Sequence, residues 1–119
     1  MAKFRFQDLQ IWKFSIEIAE ELFDIADDLE SKKLFRFAEQ LRGAAMSVPN
    51  NIAEGSGSES GRDFSNFLNI ARRSIFENAN ILIILNKRGL VSEKQLNKGL
   101  EGLDYLGRQV TNFKRTLRK

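Results

Sequence analysis

A chain of 119 residues with 42% hydrophobic side chains and a formal charge of +3 has the size of one globular domain and is too apolar to be disordered. It contains neither cysteine nor histidine, which excludes disulfides, thiolate chemistry and every nucleophile system that depends on histidine. We therefore expect no enzyme activity, no catalytic residues and no cofactor. A metal site built from carboxylates alone is the remaining alternative, and a solvated acidic helix face explains those residues better.

The first eight residues lack the apolar segment of a signal peptide, and the longest apolar run, residues 81–85, is too short to cross a bilayer. We therefore expect a cytoplasmic protein.

The first predicted helix spans residues 8–29 and carries two adjacent apolar stripes that together cover about 200° of its surface. The width indicates either contact with another subunit or a central place in the bundle. The stripes are Leu9, Trp12, Ile16, Ala19, Phe23 and Ala26, and Ile11, Ile18, Leu22, Ile25 and Leu29.

The second predicted helix spans residues 31–54, with Ser31 as its N-cap. Pro49 falls inside the apolar pattern and is expected to kink the helix or restart it. The glycines of residues 55–58 are expected to end it, because glycine readily adopts the left-handed cap conformation.

The third and fourth predicted helices span residues 60–88 and 92–117. Ser60 and Ser92 open them as capping residues, and Gly89 is predicted to cap the end of the third. Glycines within the fourth helix, at 99, 102 and 107, indicate close helix approach rather than helix breakage. Helices joined by such short connections predict an all-α, antiparallel up-down-up-down four-helix bundle in one domain, residues 1–119.

Charge is unevenly distributed along the chain. Residues 1–59 contain 7 basic and 11 acidic side chains, whereas residues 60–119 contain 12 basic and 5 acidic ones. This asymmetry indicates either a basic face for an anionic partner or attraction between the two halves within the fold. If the basic face binds nucleic acid, its candidate contacts are Arg72, Arg73, Arg108, Lys114, Arg115, Arg118 and Lys119.

The segment 40–55, QLRGAAMSVPNNIAEG, together with Asp63-Phe64, Phe67-Leu68, Ala71, Ser74 and Glu77, resembles the bacterial four-helix-bundle family named after proteins encoded in intervening sequences of 23S rRNA genes. The family-motif positions are Gln40, Arg42, Pro49, Asn51, Glu54 and Gly55. The resemblance implies a ring-shaped homo-oligomer, most often a pentamer. It also implies similarity to the accessory protein of diversity-generating retroelements, which binds nucleic acid and a reverse transcriptase.

Three polar residues of this segment have a physical interpretation of their own. Arg42, Asn51 and Glu54 lie on nearly the same side of a helix, and the spacing favours a buried polar network around Pro49 over a ligand site. For the whole protein, the sequence favours a nucleic-acid-associated accessory protein that binds RNA or DNA through basic surfaces. The alternative is a protein-interaction scaffold without a nucleic-acid role.

Overall fold

The chain forms four α-helices preceded by one 3-10 turn, as described for residues 1–117 by a computed structural model. The turn is Arg5–Asp8, and the helices are α1 Gln10–Ser31, α2 Phe35–Ser56, α3 Gly61–Lys87 and α4 Glu93–Arg115. No strand occurs within the described residues, and the predicted all-α class is confirmed. None of the four helices has the length and apolar content needed to cross a membrane.

The boundary between α1 and α2 differs from the predicted one. Ser31 is the last residue of α1 and donates its hydroxyl to the carbonyl of Asp28 at 2.6 Å, so its predicted role as N-cap of the second helix is wrong. The helix ends in a Schellman motif, in which Leu34 donates its N–H to the carbonyl of Leu29 at 2.9 Å. Lys33 takes the left-handed position, with φ of 63°, that glycine usually occupies in this motif.

The end of α2 also lies later than predicted. Gly55 is a buried residue inside the helix, and Gly57 caps it with φ of −85°, so the predicted left-handed glycine cap is wrong here. The helix continues through the buried Pro49, which means that the predicted restart does not occur.

The remaining helix ends follow the sequence signals. Ser60 accepts a hydrogen bond from the N–H of Asp63, and Ser92 and Gln95 form a complete capping box. Gly89 has φ of 76° and closes a second Schellman motif after α3. These caps satisfy backbone groups that the helix ends would otherwise leave without partners.

The apolar stripes of all four helices meet in one core. α1 packs against α2 and α4, and α3 packs against the same two helices, so the contacts form a closed ring. Apart from half-buried Ile16, every residue of the two α1 stripes is buried in this core or packed against it. Packing within the bundle therefore accounts for the apolar width of α1. The largest fully buried side chains include Leu22, Leu29, Leu41, Ile52, Phe64, Leu68, Leu82, Leu85, Leu103 and Leu106.

Glycines bring α4 close to its neighbours. A Cβ atom at Gly99 would lie 2.6 Å from Cδ1 of Leu82, and one at Gly102 would lie 3.4 Å from Cδ1 of Ile18. α4 is continuous through these positions, so the interpretation of its glycines as close-approach residues is confirmed at Gly99. On the α1 side, the ring of Tyr105 contacts that of Phe14 edge-on, with centroids 5.1 Å apart.

Candidate nucleic-acid interface

Arg72 is the innermost of the candidate arginines and connects α3 to α4. Its half-buried guanidinium donates through Nη1 to the backbone carbonyl of Gly107 at 3.0 Å and to the hydroxyl of Thr111 at 2.8 Å. The same group lies 5.2 Å from the ring centroid of Phe76, in cation–π geometry. These contacts give Arg72 a structural role and fix the aromatic ring beside it.

Phe76 is held at the surface between several candidate residues. Its side chain is 62% exposed although it belongs to a well-packed helix. A shallow cleft that it lines also contains Asn69, Arg72 and the exposed Arg73. Sequence reasoning missed this aromatic residue. Its signal was available, because Phe76 lies one turn after Arg72 and outside the apolar seam of α3. That seam consists of Phe64, Leu68, Ala71, Ile75, Leu82 and Leu85.

A second, more apolar groove adjoins Phe76 between α3 and α4. It has a volume of about 270 Å³, and Arg72, Asp104 and Arg108 are the charged residues along it. Arg108 is exposed and pairs with Asp104 of the preceding turn at 3.1 Å. The apolar lining consists of Ile75, Phe76, Ala79, Leu100 and Leu103, with Gly107. The fold therefore brings three of the predicted contacts, Arg72, Arg73 and Arg108, around one exposed aromatic ring.

The remaining candidates lie toward the end of α4. Arg115 is exposed in the last turn, on the same helix side as Arg108 and about 10.5 Å farther along the axis. Lys114 beside it is half-buried, and Arg118 and Lys119 lie outside the described residues. We call Arg73, Phe76, Arg108 and Arg115 the α3–α4 basic surface.

The outer side of α1, the helix diagonally across the bundle from α3, is acidic. Exposed carboxylates follow the outer side of α1, at Glu17, Glu20, Asp24, Asp27 and Asp28. Within residues 1–117, Lys98–Glu21, at 3.2 Å, is the one ion pair that joins the acidic half of the chain to the basic half. Direct ion pairing between the two halves of the chain therefore accounts for little of the charge asymmetry.

Comparison with known families gives a match over residues 7–112 to the model described as 23S rRNA-intervening sequence protein. The chain belongs to this family. The match spans all four helices except the last residues of α4, and it confirms the resemblance carried by residues 40–55. No curated protein gives a significant match.

The motif positions of the 23S rRNA-intervening sequence protein family do not assemble into one site in this chain. Arg42 bonds to α1, donating through Nη1 to Glu30 at 2.7 Å and through Nη2 to Asp27 at 2.6 Å. The hydrogen bonds to Asp27 and then Glu30 raise the pKa of Arg42. Asn51 instead donates to the carbonyl of Ser47 at 2.8 Å. Gln40 and Glu54 are exposed, and the single buried network predicted for Arg42, Asn51 and Glu54 is therefore wrong.

Gly55 is the family-motif position with the tightest packing. A Cβ atom there would lie 2.7 Å from Cδ1 of Phe64 and 2.8 Å from Cβ of Phe67. Gly55 thus allows α3 to approach α2 at the turn between them, whereas Pro49 is buried in the same helix two turns earlier. These two positions act in packing.

Proposed function

We propose that this protein is a non-enzymatic, nucleic-acid-associated accessory protein that binds RNA or DNA through the α3–α4 basic surface. The observation that carries the proposal is the convergence of Arg72, Arg73 and Arg108 around exposed Phe76. Arginines neutralise phosphates and release counterions, and an exposed ring adds contact with bases.

Binding of this kind is directed mainly at the backbone of the nucleic acid. The exposed arginines lie along two helices, where they can contact successive phosphates, so we expect weak sequence specificity. The acidic outer side of α1 would repel phosphates, which disfavours a strand bound along α1.

We further propose an up-down-up-down antiparallel arrangement in a ring-shaped homo-oligomer, a pentamer by family resemblance, located in the cytoplasm. Two contacts support antiparallel directions for α3 and α4. Arg72 bonds to Thr111, whereas Leu82, ten residues later on α3, approaches Gly99, twelve residues earlier on α4. In support of association, α3 exposes Ile83 and Ile84 near its C-terminal end, about 10 Å or more along the helix axis from Arg73 and Phe76. A reverse transcriptase is a candidate protein partner by resemblance alone.

Binding can be tested with labelled RNA and DNA of unrelated sequences, titrated at low and moderate salt. The test variant replaces Arg73, Arg108 and Arg115 by Gln. The control variant replaces Lys33, Arg36 and Arg88 by Gln, because these exposed residues lie at the other end of the bundle and the change in net charge is equal. We expect the test variant alone to bind all sequences more weakly, with a salt slope on duplex DNA lower by about 2–3.

Two outcomes would contradict the proposal. If the wild-type protein binds neither RNA nor DNA at low salt, the nucleic-acid function fails. If both triple variants weaken binding equally, the binding does not reside on the α3–α4 basic surface. In the first case the second candidate function, a protein-interaction scaffold, is favoured by the exposed isoleucines of α3.

A further inference from the structure

Phe76 stands at the edge of the groove between α3 and α4. The groove has a volume of about 270 Å³ and an apolar lining that includes Ile75, Ala79 and Leu103. Pockets for drug-sized ligands range from about 300 to 1,000 Å³, so this groove suits a smaller group. Its size and its partly aromatic wall therefore fit one flat ring system rather than a folded peptide segment.

Arg72 holds the ring of Phe76 in place. Its guanidinium lies over the ring, 5.2 Å from the centroid, and is itself fixed by bonds to Gly107 at 3.0 Å and Thr111 at 2.8 Å. The side chain of Phe76 remains 62% exposed in spite of this contact. Because the ring is oriented before a ligand arrives, it loses little conformational entropy when another flat group stacks on it.

Exposed cations lie on both sides of the ring. Arg73 lines the cleft on the α3 side of Phe76, and Arg108 lines the groove on the α4 side. A strand that crosses from one helix to the other would thus meet a guanidinium before and after a base that is seated at Phe76. This arrangement complements an uncharged flat group with a phosphate on either side of it.

Carboxylates are fewer than arginines around the ring. Of the charged residues that line the cleft and the groove, three are arginines and one is a carboxylate, Asp104. Arg108 pairs with Asp104 at 3.1 Å, which offsets the charge of that carboxylate. Glu77 and Glu101 are exposed nearby, but they line neither the cleft nor the groove, and Glu77 points about 100° away from Phe76 around the helix axis. The lining of the site therefore has a positive balance of charge.

We infer that the groove beside Phe76 takes one unpaired base of single-stranded nucleic acid, which stacks on the ring while its flanking phosphates contact Arg73 and Arg108. This inference rests on the proposed function and names the form of nucleic acid that its surface selects. The bases of a duplex are paired and stacked inside the helix and cannot enter the groove, whereas an unpaired base has a free face. The groove therefore selects single strands over duplexes.

The test compares an unstructured single-stranded RNA with the duplex made from it. Phe76→Ala is expected to weaken binding of the single strand roughly 5- to 150-fold and to leave duplex binding unchanged. Phe76→Leu keeps apolar volume without an aromatic face and should bind like Phe76→Ala, whereas Phe76→Tyr keeps the ring and should bind like the wild type. Phe35→Ala is the matched control, because Phe35 is 55% exposed on α2, diagonally across the bundle from α4.

Phe76→Trp supplies a direct signal of stacking. Its added indole should lose emission when the single strand binds and keep it when the duplex binds, because only an unpaired base can lie on the ring. The wild type, whose one tryptophan is Trp12 of α1, gives the background emission. Unchanged thermal unfolding of Phe76→Ala would show that its loss of binding is local.

The outcomes separate this inference from the proposed function. If the wild-type protein binds neither RNA form at low salt, both fail together. If it binds RNA and Phe76→Ala binds the single strand as tightly as the wild type does, the inference fails and the proposed function stands. Equal weakening of single-strand and duplex binding by Phe76→Ala would also overturn the inference. If Phe76→Ala lowers the oligomer mass in light scattering without changing RNA binding, another copy of the chain covers the groove and the inference is wrong.

Discussion

Asn78 of α3 reaches across the bundle and donates through Nδ2 to the backbone carbonyl of Ala44 in α2, at 2.8 Å. The same amide also donates to the carbonyl of Ser74 in its own helix at 2.8 Å. Asn78 is fully buried, and a hydroxyl contact between Ser47 and Ser74, at 2.7 Å, adds a second polar link between the two helices. Because the buried amide of Asn78 bonds to the carbonyl of one particular residue of α2, it fixes how far α2 and α3 are shifted along each other.

Replacing Asn78 by Ala should destabilise the fold by about 1–3 kcal/mol, because the carbonyl of Ala44 would lose its interhelical donor in a site without water access. Urea unfolding followed by circular dichroism measures the change. Asn80→Ala is the control on the same helix: its side chain is exposed, and we expect a change of less than about 0.5 kcal/mol. Equal effects of the two substitutions would contradict a structural role for the Asn78 bond.

Two glycines of α2 should respond in opposite ways to alanine. Gly43 is exposed and no atom lies within 4 Å of its missing Cβ, so Gly43→Ala should stabilise the protein by about 0.5–1 kcal/mol through helix propensity. Gly55→Ala should destabilise it by about 1–3 kcal/mol, because the new Cβ would overlap Phe64 and Phe67. Chemical denaturation of both variants checks the signs. A stabilised Gly55→Ala variant would show that α3 can move away at no cost.

Adjacent arginines of α3 should separate stability from binding. Arg72→Gln should lower the free energy of unfolding by about 1–3 kcal/mol, because the charged hydrogen bonds to Gly107 and Thr111 are lost. Arg73→Gln should leave stability within about 0.5 kcal/mol of the wild type and weaken nucleic-acid binding. Thermal unfolding and RNA titration of each variant provide the two readouts. The reverse pattern would mean that the roles of the two residues are exchanged.

Self-association should depend on the exposed isoleucines near the C-terminal end of α3. Light scattering coupled to size exclusion should give the wild type a mass several times 13.7 kDa. Ile84→Glu should shift that mass toward the monomer, because a charge would be placed in an apolar contact. Asn97→Glu introduces the same charge at an exposed position of α4 and should leave the mass unchanged. A wild-type monomer at micromolar concentration would exclude the oligomer.

The helices themselves were predictable from sequence because apolar periodicity and capping residues are local signals. Two examples are the Ser92–Gln95 capping box, whose signal lies in four consecutive residues, and the left-handed Gly89, whose signal is one residue. Prediction failed between α1 and α2, where Ser31 resembles an N-cap but the chain instead closes a Schellman motif with a lysine in the glycine position. That choice depends on how Leu34 packs against the core, which no local pattern contains.

The candidate site was only partly predictable, for a related reason. Arg72 and Arg73 are equivalent in sequence, and the direction of α4 decides which one is tied down. Phe76 was missed because its place in the site depends on the nearby guanidinium of Arg72, which α4 holds in position.

The closed ring of helix contacts has a consequence for the speed of folding. Three of its four sides join helices that are consecutive in the chain, whereas the fourth joins Phe14 to Tyr105 across most of the sequence. Local contacts form fast, and closing a long loop is delayed by its entropy. We therefore expect α1 and α4 to dock last. Stopped-flow kinetics should then show that Tyr105→Ala accelerates unfolding with little effect on the folding rate, while Asn78→Ala slows folding.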